Sequence, residues 1–85
     1  MTALRPNPDV ISKRLDSGAV LVHIPTSRIF ELNETGTLVW DLIGAGSTPA
    51  QITSQLVKSF EVDEVQAADE VTSLVEQLRA EGLLA

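Results

Sequence analysis

The hydrophobic and polar positions of this chain follow one period in its first half and another in its second. Before residue 33, short apolar runs alternate with turn residues, a pattern that predicts three β-strands at residues 10–15, 19–24 and 28–32. Turn-forming residues occupy positions 16–18 and 25–27 between these runs. Because both connections are short, we expect the strands to form an antiparallel meander.

After residue 33, apolar residues recur at helical spacing. Asn33 is a good N-cap for a first helix over residues 34–43, which glycines then end. Thr48 and Asp63 each open a capping-box sequence, so they mark the starts of a second helix and of a third over residues 64–80. The glycine and leucines that follow predict a chain that folds back on the end of the third helix.

The predicted order is three strands followed by three helices. We therefore expect a single domain over residues 1–85, of the α+β class. Its arrangement is winged helix-turn-helix-like, with a three-stranded antiparallel sheet followed by three helices. A chain of 85 residues leaves no room for a cleft between two domains. Any function must use a groove, a strand edge or a surface.

The charge of the chain argues against a nucleic-acid partner. The formal net charge is −6, and residues 61–81 contain seven carboxylates but only one cation, Arg79. Such a surface repels phosphate backbones. The second helix also has a single cation, Lys58, whereas base recognition needs outward-pointing basic or amide side chains. An acidic helix-turn-helix regulator that acts through protein or DNA contacts remains the alternative function.

Residue types that are absent from the sequence restrict its chemistry further. Without cysteine, the chain forms no disulfide and no thiolate metal site, and this composition favours a reducing, cytoplasmic setting. No apolar stretch approaches the ~20 residues that a membrane helix needs. We therefore expect a cytoplasmic protein that has no membrane segment and binds no cofactor or metal.

Catalytic residues are equally scarce. His23 is the only histidine, and the nearby Ser17, Ser27 and Asp16 fall in the turns that flank its strand. The carboxylates of the last helix fit a solvated helix face better than an acid–base pair or a metal site. We expect a protein that is not an enzyme, and a small hydrolase subunit is the least favoured interpretation. Trp40, one turn into the first helix, is expected in the core.

The third predicted strand is the strongest candidate for a binding element. Within it, Phe30 and Leu32 share one face, whereas Ile29 and Glu31 share the other. If this strand is the last of the sheet, its free edge can pair with an extended peptide through main-chain hydrogen bonds. The same edge could also join two copies of the chain as a homodimer.

The third helix could supply the second wall of such a site. Beside its predicted core face runs a stripe of small and partly apolar residues, which either forms that wall or only widens the core contact. The stripe consists of Val65, Ala68, Thr72, Val75 and Arg79.

A series of short motifs, each weak alone, extends over nearly the whole chain in a fixed order and spacing. They are Arg5-Pro6, Leu32-Asn33-Glu34-Thr35-Gly36, Trp40-Asp41-Leu42, Thr48 with Ile52 and Leu56, Glu70-Val71 with Leu74-Val75 and Leu78, and Gly82-Leu83-Leu84.

In these motifs the chain resembles the PqqD-like family, small recognition elements for ribosomally made, post-translationally modified peptides. Two positions depart from the family pattern: Glu70 replaces the usual Asp, and residues 25–28 replace a Pro-Glu-Gly turn. The second departure makes the chain most similar to the stand-alone leader-binding proteins of lasso-peptide pathways. The resemblance implies a domain that performs no chemistry. It binds the leader of a precursor peptide as a strand added to the third strand, against the third helix, and delivers it to a separate leader peptidase or modifying enzyme.

The resemblance also implies a set of peptide-binding residues. From the strand these are expected to act largely through their backbone, and from the helix through small side chains that leave space and charged side chains that read the leader. The strand residues are Arg28, Ile29, Phe30, Glu31 and Leu32, and the helix residues are Ala68, Asp69, Thr72, Val75, Glu76 and Arg79.

Overall fold

The order of elements in the structure, a computed structural model that describes residues 4–85, is three strands followed by three helices. A short 3₁₀ turn at Ile24–Thr26 separates the second and third strands. This order confirms the predicted α+β fold. The elements are β1 (Val10–Arg14), β2 (Ala19–His23), β3 (Arg28–Leu32), α1 (Glu34–Gly44), α2 (Pro49–Phe60) and α3 (Glu64–Ala80).

The three strands form one antiparallel sheet in the order β1-β2-β3, so β3 is a terminal strand. Leu21, at the centre of β2, lies opposite Ser12 of β1 and Phe30 of β3. The alternation of side chains along β2 places Ala19 and Leu21 on the face that packs against the helices, where both are buried.

The helices begin at the residues that the capping signals predict. The Asn33 side chain accepts a hydrogen bond in the first turn of α1, and Asp63 does the same for α3. At α2, the Thr48 and Gln51 side chains each bind the other's backbone N–H, with distances of 3.2 and 2.8 Å. These bonds satisfy amide groups that have no partner within the helix, which is why the sequence locates all three starts.

The end of α3 returns the chain to the core. Gly82 has a φ of +75°, a conformation that favours glycine, and the Leu83 N–H donates to the Leu78 carbonyl at 2.9 Å. Leu83 and Leu84 are both buried as a result, as the sequence predicts. Leu84 also forms a β-bridge with Pro6, which holds the segment before β1 against the C-terminal residues.

A single apolar cluster joins the inner face of the sheet to all three helices. Trp40 belongs to this cluster and is only 7% exposed, so its expected place in the core is confirmed. The largest fully buried side chains are Leu21, Ile43, Ile52, Leu56, Leu83 and Val39.

Candidate functional site

A groove of about 740 Å³ lies between β3 and α3, within the size range of protein ligand sites. Its strand wall consists of the last four residues of β3 and the start of α1, and its helix wall follows one side of α3 down to the chain that leaves the helix. The strand wall is Ile29, Phe30, Glu31, Leu32, Asn33, Thr35 and Gly36, and the other wall is Asp69, Glu70, Ser73, Leu74, Gln77, Leu78, Glu81 and Leu83.

Backbone hydrogen bonds at the first turn determine which groups of β2 point towards β3. The Leu15 N–H donates to the Gly18 carbonyl at 2.9 Å, so the backbone groups of Gly18 point towards β1. Since the direction alternates along a strand, those of Val20 and Val22 also point towards β1. The backbone groups of Leu21 therefore point towards β3, together with those of the residues two positions away on either side.

The free edge of β3 follows from the same alternation. Phe30 lies opposite Leu21, so its N–H and C=O pair with β2, as do those of Leu32 and Arg28. The N–H and C=O groups of Ile29 and Glu31 point the other way, away from the sheet. These two residues therefore offer two donors and two acceptors to an extended segment beside β3.

The side chains of β3 divide between the two faces of the sheet. Phe30 and Leu32 are half-buried and pack against the core cluster, which fits a packing role for both. Ile29 is 67% exposed, and Glu31 is exposed beside it on the outer face. An added strand would thus lie next to one large apolar side chain and one carboxylate on its outer side.

An ion pair joins the start of β3 to the end of α3. Arg28 Nη2 lies 2.7 Å from Glu81 Oε2, and the Arg28 guanidinium carbon lies 5.1 Å from the centre of the Phe30 ring. The pair bridges the groove at this end, and α3 leads away from it towards Asp69.

Of the six α3 residues named from the sequence, only Asp69 lines the groove. Ala68 and Val75 are half-buried, and Val75 packs against the core, so the expected stripe lies on the other side of the core face of α3. The remaining three are exposed outside the groove, so the groove and the predicted helix wall share Asp69 alone. They are Thr72, Glu76 and Arg79.

Three residues of the helix wall each lie one position after a residue that was predicted from the sequence. Glu70, Ser73 and Gln77 follow one another at intervals of three and four residues, so they share one side of α3. Helical periodicity finds the core face but does not distinguish its two flanks. The family motif contained a usable signal, since its acidic position, Glu70, lies on the flank that faces β3.

Outside the groove, the described part of the chain has few groups suited to catalysis or metal binding. His23 Nδ1 lies 2.7 Å from Thr26 Oγ1 in the turn between β2 and β3, and His23 does not line the groove. Residues 4–85 contain no group of three or more metal-ligating side chains. None of their helices has the length and hydropathy that a membrane span requires.

Comparison with known proteins finds both a family and a fold. The profile of the family described as coenzyme PQQ synthesis protein D (PqqD) matches residues 18–84. The chain is similar to a solved lasso peptide synthetase B1 complexed with the leader peptide, with a TM-score of 0.91 and 25% identity over 99% of each chain. It is also similar to TbiB1 in complex with the TbiA(beta) leader peptide, with a TM-score of 0.89 and 25% identity over 94% of this chain and 93% of that one. No curated protein matches the sequence.

Proposed function

This chain belongs to the PqqD family, and from that premise we propose that it binds the leader of a ribosomally made precursor peptide of the lasso type without catalysing a reaction. The observation that carries the proposal is the free edge of β3 beside a groove closed on its far side by α3. The two structural neighbours, each solved with a leader peptide, support the same kind of ligand.

The leader pairs as a fourth strand with Ile29 and Glu31, whose backbone groups point away from the sheet. Alternate side chains of the leader then enter the groove, where Leu74 and the half-buried residues of β3 offer apolar contact. On α3 the contacts come from Asp69, as the sequence predicts, and from the residues beside it in the groove. These are Glu70, Ser73 and Gln77.

The domain also delivers the bound leader to a separate leader peptidase or other modifying enzyme in the bacterial cytoplasm. A carrier that holds the leader and contacts the enzyme raises the local concentration of the cleavage site near the active site, without chemistry of its own. A second copy of the chain, paired through the same edge as a homodimer, would compete with the leader for Ile29 and Glu31.

Titration of fluorescein-labelled leaders from short precursor peptides encoded in the same genome, followed by anisotropy, tests the proposal. Saturable binding of the leader is expected, and Glu31→Pro should weaken it about three- to tenfold because proline removes one outward N–H. Proline is tolerated at such an edge position, where no ladder hydrogen bond is broken.

Ser12→Pro is the matched control, because it removes an outward N–H from β1 at the opposite edge of the sheet. It should leave leader affinity within about twofold of the unmodified chain. Equal losses in the two variants, or no saturable binding at all, would refute strand addition at β3. A mobility-shift assay with duplex DNA at low salt tests the alternative regulator, for which a salt-sensitive shift is expected.

A further inference from the structure

The groove between β3 and α3 carries charge of one sign. Four ionisable residues contribute to its lining, and all four are acidic: Asp69, Glu70 and Glu81 on the helix side, and Glu31, whose side chain lies on the outer face of the sheet. No lysine or arginine lines the groove in the described part of the chain. Before ion pairs are counted, the residues that line the groove therefore give it a net negative charge.

That charge is compensated at one end of the groove only. Glu81 forms its ion pair with Arg28, which supplies a cation from β3. Asp69 and Glu70, about three helical turns away along α3, have no ion-pair partner in residues 4–85. The groove thus has a neutralised end and an anionic end.

Stabilisation of the start of α3 does not explain why positions 69 and 70 carry carboxylates. Asp63 caps α3 by accepting the Gln66 N–H at 2.8 Å, and Glu64 lies in the first turn, where the helix dipole favours an acid. Asp69 and Glu70 lie beyond that turn, where the dipole contributes little.

We propose that the groove selects a leader by charge, taking a lysine or arginine side chain at the Asp69–Glu70 end and uncharged side chains near the Arg28–Glu81 end. The inference rests on the proposed function and names the class of peptide that the site takes. Because the two ends differ, the basic position also fixes the direction and register of the added strand, which main-chain pairing alone leaves open.

Selection from a randomised twelve-residue peptide display library on the full chain tests this proposal. Clones whose binding is lost in Glu31→Pro depend on the free edge and are the ones to sequence. Lysine and arginine should be enriched at one end of these clones. A selection on Asp69→Asn/Glu70→Gln should lose the enrichment. Asp9→Asn/Glu61→Gln, which removes the same charge at exposed positions outside the groove, should keep it.

The affinity of a synthetic peptide from the enriched set measures how much the two carboxylates contribute to binding. Asp69→Asn/Glu70→Gln should weaken its binding about 3- to 10-fold at low salt, as expected for two partly exposed charge pairs, and the difference should shrink as salt is added. Edge-dependent clones without basic enrichment, or with the same enrichment on the double variant, would overturn the charge proposal and leave leader binding intact. A complete lack of edge-dependent clones would overturn the proposed function and the charge proposal with it.

Discussion

Gly18 lies directly against the backbone carbonyl of Leu32, so close that a Cβ added at Gly18 would overlap the carbonyl oxygen. The turn between β1 and β2 therefore contacts the last residue of β3, just before α1 begins. A side chain at position 18 would push β3 away from the sheet at the end where the groove meets α1.

Gly18→Ala should lower the free energy of unfolding by about 2–3 kcal/mol, because the obstacle is backbone and cannot rotate away. Urea denaturation measures this. Gly44→Ala is the control, since the nearest atom to its added Cβ is 4.0 Å away, and it should be neutral or stabilise α1 by up to about 1 kcal/mol. Similar losses in the two variants would show that the contact with Leu32 is not responsible.

The side of α3 that is proposed to contact the leader can be tested with two adjacent exposed positions. Ser73 lines the groove and Thr72 does not. Ser73→Arg should weaken leader binding at least tenfold because a long side chain fills the space of the added strand. Thr72→Arg makes nearly the same chemical change and should leave affinity within about twofold. The reverse order in an anisotropy titration would return the binding site to the other flank of the helix.

The ion pair between Arg28 and Glu81 should contribute little to stability. Both side chains contact solvent, with exposures of 59% and 29%. A double-mutant cycle with Arg28→Ala and Glu81→Ala should therefore give a coupling energy of about 0.2–1 kcal/mol, and less at high salt. A coupling well above this range, or one that salt does not reduce, would contradict a partly exposed pair.

Trp40 should report unfolding and not leader binding. Its side chain is buried in the core, and it does not line the groove. Its emission should shift to longer wavelength on denaturation and stay unchanged when a saturating leader is added, so binding needs a labelled peptide. A clear emission change on binding would mean that the core rearranges around the leader.

Much of the fold follows from local signals in the sequence. β3 and α3 have the predicted bounds, because the caps and turns that fix them are short-range interactions. β1 and β2 end one residue early. Leu15 is taken into the hairpin by its bond to Gly18, and Ile24 begins the 3₁₀ turn.

The helix wall of the site depended on tertiary packing and was not predictable in the same way. The two flanks of the α3 core face have similar composition, with Ala68 and Thr72 on one side and Ser73 and Gln77 on the other. Only the positions of α2 and the sheet decide which flank faces β3. The terminal position of β3 could be predicted, because short turns favour a meander in which the first and third strands each keep one free edge.

Because the free edge of β3 is short, it limits the residence time of a peptide that pairs with it. Ile29 and Glu31 together offer four outward backbone groups, each worth about 0.5–1.5 kcal/mol when paired. That total is comparable with the freedom a peptide loses when it is immobilised, so residence times should be brief unless side chains add affinity. Rapid release is what the proposed delivery of the leader to a separate enzyme would require.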